Sequence, residues 1–334
     1  MRRVVLTSRP MGDPQASDFT VEEGATPDAG SGQLLLEVLF LSIDPYMRLS
    51  LDAGGAENIP PLPLGQAPVG RAVARVLASH ADGFAPGDVV EGRMPWADIV
   101  AIDAGAVVRK LDFTGLPLSY AVGALGMPGQ TSYAGMVQVG RVREGDTALI
   151  SAAAGAVGSL AGQIAKIKGA RVIGIAGGAA KCAAVTALGF DACVDYKSPE
   201  FTDRLADALP DGFQIYFENV GGDMTLQVLE HATYGARVPL CGLLALYGAR
   251  DTRRTDRMPD LMERIFLKGL EMRGFHGEGL GGAEALVANR DWIEEGRLRP
   301  AEVIVDGIEQ VAGTFAGIFR GNSHVGKVVV RLGG

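Results

Sequence analysis

Cysteine and histidine are both scarce in this chain, and each shortage removes a class of function. Only Cys182, Cys193 and Cys241 occur among 334 residues, none in a Cys-x-x-Cys pair, so no disulfide framework or thiol redox motif is available. Reduced thiols in a cytoplasmic setting are the expectation. His80, His231, His276 and His324 are scattered, with no His-x-x-x-His spacing and no nearby cysteine, which disfavours a catalytic zinc and leaves no metal expected. Each reads as a surface or core histidine. None of the seven tyrosines has a lysine four residues on, so the Tyr-x-x-x-Lys pair of short-chain dehydrogenases is absent. Ser159 directly follows Gly158, which is the wrong spacing for a Gly-x-Ser-x-Gly hydrolase elbow. No apolar run approaches the roughly 18 residues of a membrane span. The opening MRRVVLTSRP has no apolar stretch behind its charges, so no export signal is expected. Positive charge is in the minority, 31 Lys and Arg against 39 Asp and Glu for a net charge of -8. Such a chain is a poor partner for nucleic acid, where phosphate neutralisation supplies most of the affinity.

Glycine, by contrast, is plentiful at 47 residues, and hydrophobic residues make up 47% of the chain. The length suits about two domains, each able to bury its own core. The first third reads as β-rich, with strands expected over 34–42, 65–76, 89–91 and 96–102, punctuated by Gly30-Ser31-Gly32 and Pro86-Gly87-Asp88. From about residue 123 the pattern changes. β-Branched runs at 147–151, 171–176, 192–196, 215–220, 237–242 and 271–275 are mostly separated by gaps long enough for a crossover helix. That alternation predicts a doubly wound parallel sheet of the Rossmann type, an α/β fold, beside a β-rich barrel-like domain. Residues 301–332 hold a helix-like segment and a terminal strand, 327–331, expected to fold back onto the first domain. The boundaries expected are 1–122 with 300–334, and 123–299.

The most informative segment runs from Thr147-Ala148-Leu149-Ile150-Ser151 into Ala152-Ala153-Ala154-Gly155-Ala156-Val157-Gly158. It reads as strand, sharp turn and helix, the dinucleotide arrangement Gly-x-Gly-x-x-Gly with Ala153 in place of the first glycine. Gly155 lets the backbone approach a pyrophosphate, Gly158 allows close packing of helix on strand, and the helix start offers unpaired N–H donors. At the end of the second strand, Ile175-Ala176-Gly177-Gly178, no acid stands where NAD enzymes place one for the ribose 2′-OH, and Lys181 follows. A lysine attracts a 2′-phosphate that a carboxylate would repel, so NADPH (with NADP+) is favoured over NADH.

Several stretches resemble the zinc-independent medium-chain reductases of the leukotriene B4 12-hydroxydehydrogenase, or prostaglandin reductase, group. They are Ser42-Ile43-Asp44-Pro45-Tyr46-Met47-Arg48, Gly126-Met127-Pro128-Gly129-Gln130-Thr131, 152–169, Phe190-Asp191, Asp195-Tyr196-Lys197, Glu218-Asn219-Val220-Gly221-Gly222 and Gly274-Phe275. The resemblance implies a GroES-like catalytic domain, a Rossmann domain, a homodimer, and NADPH-dependent reduction of the C=C bond of α,β-unsaturated ketones or aldehydes. It implies that Ala154, Gly155, Ala156, Val157 and Gly158 hold the pyrophosphate and that Lys181 and Tyr196 hold the 2′-phosphate. Thr131, Asn219, Cys241, Gly242, Leu243, Tyr247, Phe275 and Asn322 would line the rest of the cofactor. Two positions depart from the group. Leu267 stands where relatives have a tyrosine that steadies the developing enolate, and Glu218 replaces an aspartate. With Leu267 unable to donate, Tyr46 and the ribose 2′-OH are the candidates to stabilise the charge that builds on the substrate oxygen. Arg48 either steers an anionic substrate tail or forms a surface ion pair. A quinone reductase and a non-catalytic NADPH-binding or redox-sensing protein remain alternatives.

Overall fold

The computed structural model describes residues 1–57, 59–248, 257–321 and 324–333. The chain divides into two compact units, one of Met1–Val122, Val303–Asn322 and Val328–Gly334, the other of Gly123–Glu302 and Ser323–Lys327. In chain order the first unit supplies β1 (Arg2–Leu6), β2 (Phe19–Glu23), β3 (Gln33–Ser42), β4 (Val69–Ser79), β5 (Val89–Pro95), β6 (Ile99–Asp103) and β7 (Val107–Lys110).

The second unit follows with α1 (Met127–Tyr133), β8 (Thr147–Ile150), α2 (Ala156–Ile167), β9 (Arg171–Ala176), α3 (Ala179–Ala187), β10 (Ala192–Asp195) and α4 (Phe201–Ala208). Next come β11 (Phe213–Phe217), α5 (Asp223–Leu229), β12 (Ala232–Leu240), α6 (Leu244–Tyr247), α7 (Met258–Lys268), β13 (Glu271–Gly274) and α8 (Gly277–Glu294). The chain closes with β14 (Glu302–Asp306), α9 (Val311–Phe319) and β15 (Lys327–Arg331). No helix among the described residues is long and apolar enough to cross a membrane.

In the first unit the alternation of small and β-branched residues produces a seven-stranded sheet in the order β14-β15-β3-β4-β5-β7, with β6 pairing the other stretch of β3. The pairings among β3, β4, β5, β6 and β7, and of β15 with β3, are antiparallel, and β3 shifts register twice against β4. Such bulges bend and twist a strand. The strand expected from Trp96 starts at Ile99 instead, because Trp96 is a wholly buried core anchor. Its ring meets Phe315 of α9 edge-on at 5.4 Å, and Phe19 meets Phe315 at 6.0 Å with the planes perpendicular. Edge-to-face rings add to the value of burying them. The hairpin of β1 with β2, and strands β7 and β14, were not anticipated from the sequence; they are short or rich in charge, as at Arg2-Arg3 and Glu22-Glu23.

The second unit is a six-stranded parallel sheet in the order β10-β9-β8-β11-β12-β13. This is the doubly wound α/β arrangement anticipated from the alternation of strands and helices. Parallel strands covered on both faces must be apolar almost throughout, and β9 buries every residue after Arg171. The strand order reverses between β8 and β11, whose partners are Ala148 with Ile215, Leu149 with Tyr216 and Ile150 with Phe217. In open sheets of this kind ligands bind outside the carboxyl ends of the strands at that reversal.

The aromatic trio makes the first core testable. Phe315→Ala removes a wholly buried ring and should cost about 3–5 kcal/mol. A urea titration followed by tryptophan fluorescence should show the transition of this unit moved to lower denaturant; an unmoved transition would contradict the packing described.

Candidate active site

Beyond β8 the backbone turns sharply. Ala152 takes a φ of 48°, a left-handed conformation that L-residues seldom adopt. Its carbonyl accepts the Gly155 N–H at 2.8 Å, which closes the turn. Helix α2 then begins at Ala156, with Gly155 as its N-cap. The N–H groups at the start of a helix have no carbonyl four residues earlier to pair with, so those of Ala156, Val157 and Gly158 face outward as donors. A Cβ at Gly158 would lie 2.4 Å from the Ala152 carbonyl oxygen, so only glycine permits this helix–turn contact. The alanine at the first fingerprint position is accommodated too. Ala153 is wholly buried, and its methyl occupies space left by Gly174 on β9, where an added Cβ would approach it to 2.9 Å.

Across the strand reversal, the loop after β11 is organised by one carboxylate. Glu218 is 1% exposed and accepts from the Ser151 hydroxyl at 2.9 Å, from the N–H groups of Val220 and Gly221 at 2.7 and 3.1 Å, and from the Thr225 hydroxyl at 2.5 Å. A buried charge is tolerable when its lone pairs are filled in this way. Asn219 is tied to the same point, its backbone N–H donating to Ser151 Oγ at 2.8 Å and its amide to the Ser151 carbonyl at 2.7 Å. The Glu218 carbonyl in turn accepts from Cys241 and Gly242. Burial, then the Glu218 charge, pushes the Cys241 thiol up to about 12, so it is held neutral. Tyr247, at the end of α6, accepts the Leu243 N–H at 3.4 Å, and its hydroxyl lies near Gly242. Gly155–Gly158, Asn219, Cys241, Gly242, Leu243 and Tyr247 thus all follow the carboxyl ends of β8, β11 and β12.

Phe275 follows β13 and packs edge-on against Phe217 at 6.2 Å; Gly135 leaves room for both rings. Thr131 on α1 is packed against Gly277, two residues after Phe275. Its neighbour Ser132 donates to the Val157 carbonyl at 2.9 Å, which joins α1 to the start of α2. Asn322 lies outside the described residues, as do 249–256 of the loop around Arg250.

A second group of side chains gathers at the ends of β9 and β10. Gly178, with φ of 96°, donates its N–H to Asp195 Oδ1 at 2.7 Å, and Lys197 N–H donates to the same oxygen at 2.9 Å. These two donors hold the Asp195 carboxyl below its usual range, so the acid nearest the β9 terminus is already engaged by backbone. Tyr196 is 47% exposed, beside Gly177 and under the Lys197 ammonium at 6.0 Å. Burial and then the Lys197 charge lower the pKa of Lys181. Burial and then the Lys181 charge lower that of His324. Lys181 therefore lies within electrostatic range of both Lys197 and His324; with its pKa lowered, His324 is mainly the neutral imidazole near pH 7, so the positive charge here comes from the two lysines, which suit an anion. Lys197 and His324 were not singled out for this site from the sequence. Lys197 had a signal, its position just past β10, whereas nothing local connects His324 with Lys181.

Tyr46 belongs to the first unit. It is half-buried on a short 3-10 turn, Pro45–Leu51, and lines a cleft of about 290 Å³. Arg48 on the same turn is 2% exposed, its guanidinium bonded to the Gly12 carbonyl and paired with Asp52 at 2.7 Å. The expected ion pair is observed, but inside the protein rather than at its surface, because the guanidinium is enclosed and bonded to the Gly12 carbonyl. Leu267 is 59% exposed on α7 and has no hydroxyl to offer. Among the described residues no group of three or more His, Cys, Asp or Glu side chains is arranged to hold a metal ion.

Comparison with known proteins agrees with this architecture. A family described as the N-terminal domain of oxidoreductase matches residues 2–110, and one described as zinc-binding dehydrogenase matches 156–290. The chain is 39% identical to the NADPH-dependent curcumin reductase of Escherichia coli, over 100% of this chain and 97% of that one. It is 37% identical to prostaglandin reductase 1 of Rattus norvegicus, over 96% and 95% of the two. A crystal structure of CurA from Vibrio vulnificus in complex with NADPH superposes with a TM-score of 0.92 at 38% identity, covering 100% of both chains.

The Glu218 cluster generates a stability prediction. Glu218→Gln replaces one acceptor oxygen by a donor and strands at least one buried partner, at a cost of about 1–3 kcal/mol. Thermal unfolding should fall accordingly; a melting temperature equal to that of the wild type would mean the four bonds do not hold the loop.

Proposed function

The chain belongs to the zinc-independent medium-chain reductases, the family of the curcumin and prostaglandin reductases, and from that premise we propose that it reduces the C=C bond of α,β-unsaturated ketones or aldehydes with NADPH. The observation that carries the reading is an open helix start at a sheet reversal, with Lys181 and Lys197 following the neighbouring strands β9 and β10. The first suits a pyrophosphate, the second a 2′-phosphate. The residues fit the cofactor: Gly158 permits the tight turn, Gly177 leaves space beside Tyr196, and β9 ends at Ala176 followed by two glycines, with no acid there to repel a phosphate.

In this reading Ala154–Gly158 hold the pyrophosphate. Lys181 and Tyr196, joined by Lys197 and His324, hold the 2′-phosphate. Thr131, Asn219, Cys241, Gly242, Leu243, Tyr247, Phe275 and Asn322 line the remainder. Bound NADPH supplies the hydride that the β-carbon accepts. As it arrives, negative charge builds on the carbonyl oxygen, and the Tyr46 hydroxyl donates to it there, where a positioned donor lowers the barrier most. The α-carbon takes its proton from water, so the site needs no strong general acid. Cys241, held as a thiol, takes no part in the proton transfer. A homodimer and a cytoplasmic setting accompany this proposal as family expectations.

A panel of enals, enones and quinones assayed by loss of NADPH absorbance tests the reading. Turnover of enones, with kcat lowered roughly tenfold or more by Tyr46→Phe, is the expected outcome. Turnover of quinones alone would make the chain a quinone reductase. Oxidation no faster than background with every acceptor would make it a binding protein.

A further inference from the structure

The sequence has no Cys-x-x-Cys pair, but the fold builds a thiol pair from two cysteines that stand apart in the chain. Cys182 lies near the start of α3 and Cys193 on β10, the edge strand of the parallel sheet, and α3 packs on β10. Cys193 is in register with Gly174 of β9, and residues paired across neighbouring strands point to the same face of the sheet. Gly174 identifies that face, because a Cβ there would meet the Val185 side chain of α3 at 2.9 Å. Cys182 and Val185 are spaced i, i+3 on the helix and so share one side of it. Both cysteines accordingly pack against the cluster that contains Ala153, Val185 and Phe190, whereas Val194, the next residue of β10, belongs to the cluster on the opposite face. Both are free thiols and only partly buried. Burial, and then a side-chain hydrogen bond with Cys182, pushes the Cys193 thiol up.

The neighbours of the pair give it significance. Lys181 immediately precedes Cys182, and Asp195, Tyr196 and Lys197 follow closely on Cys193. The two segments that carry the lysines are therefore the two that one S–S bond would tie. A disulfide sets its Cα atoms about 5.5–6 Å apart and its Cβ atoms about 3.8 Å apart. Two packed thiols impose no such spacing, so the bond would fix where Lys181 stands relative to Lys197.

We propose that Cys182 and Cys193 form a redox modification site, at which a small-molecule disulfide oxidises the pair to an intramolecular disulfide and thereby weakens recognition of the 2′-phosphate. The modification stands on the placement of the thiols; its effect on binding rests on the assignment of Lys181 and Lys197 to that phosphate. The exchange needs no further reactant. The Cys182 sulfur, as thiolate, attacks one sulfur of the small disulfide and expels the other as a thiolate, which takes up the proton Cys182 lost. Cys193 gives up its proton, attacks the Cys182 sulfur of the mixed disulfide and expels the second thiolate, which is protonated in turn. Two protein thiols are oxidised and one disulfide is reduced to two thiols. Cys182 attacks first because Cys193 is held protonated until then.

Two arms test this. In the first, the full chain is incubated with oxidised glutathione, denatured, alkylated and mapped by peptide mass spectrometry. A disulfide joining Cys182 to Cys193, removed by dithiothreitol, is expected, with Cys241 recovered as an alkylated thiol. No bond between the two, or glutathione on either cysteine as the sole product, overturns the proposal. In the second, NADPH and NADH are titrated calorimetrically into the reduced and the oxidised chain. Oxidation should weaken NADPH about tenfold, the worth of one contact to a charged group, and leave NADH unchanged. Cys182→Ser and Cys193→Ser should each bind NADPH as the reduced wild type does and ignore the oxidant. An NADPH affinity that oxidation does not move, an equal loss for both dinucleotides, or a loss that persists in either variant overturns the link to the 2′-phosphate. If the reduced chain does not prefer NADPH to NADH, the 2′-phosphate reading itself fails, while the mapped disulfide still decides the modification.

Discussion

The account depends on unsatisfied backbone donors at one end of a parallel sheet. A parallel βαβ crossover delivers the start of α2 to the carboxyl end of β8, and a helix start always presents N–H groups with no internal partner. Those groups, at the point where the strand order reverses, favour negative charge before any side chain is considered. The side chains then decide which anion is favoured. At the neighbouring strand ends, the Gly178 and Lys197 N–H groups engage the Asp195 carboxylate, and Lys181 lies within electrostatic range of Lys197. Two ammonium groups in one region favour a phosphate.

Around this donor set the protein spends its buried polarity on rigidity. Glu218 joins Ser151 at the end of β8 to the loop after β11, and the Glu218 carbonyl extends the same network to Cys241 and Gly242 after β12. Three strand ends are therefore locked by one residue. The extra methylene relative to an aspartate is absorbed within this network, since Ser151, Val220 and Gly221 are met at 2.9, 2.7 and 3.1 Å. Alanine at the first fingerprint position is compensated in a similar way, by a glycine on the adjacent strand.

Much of this was legible in the sequence because it rests on local rules. The β-branched runs, the Gly155–Gly158 spacing and the missing acid after β9 all lie within a few residues of the features they determine. The strands 171–176 and 327–331 coincide with the structure, and the other expected strands of the parallel sheet overlap those observed. What escaped was settled by tertiary neighbours. Trp96 reads as a strand residue until Phe19 and Phe315 claim it for the core. Ala152 gives no hint that it will adopt a left-handed conformation. Arg48 reads as a surface ion pair or a steering charge, and only its burial shows that the pair is made inside the protein. Likewise His324 acquires meaning through Lys181, with which it shares no local pattern.

The most direct measurement of the central claim is calorimetric titration of the chain with NADPH and, separately, NADH at low ionic strength. The account predicts saturable binding of both through the shared pyrophosphate, with NADPH tighter by about tenfold or more because of its 2′-phosphate, and with that advantage shrinking as salt is raised. Equal affinity for the two dinucleotides, or no heat from either, would contradict it.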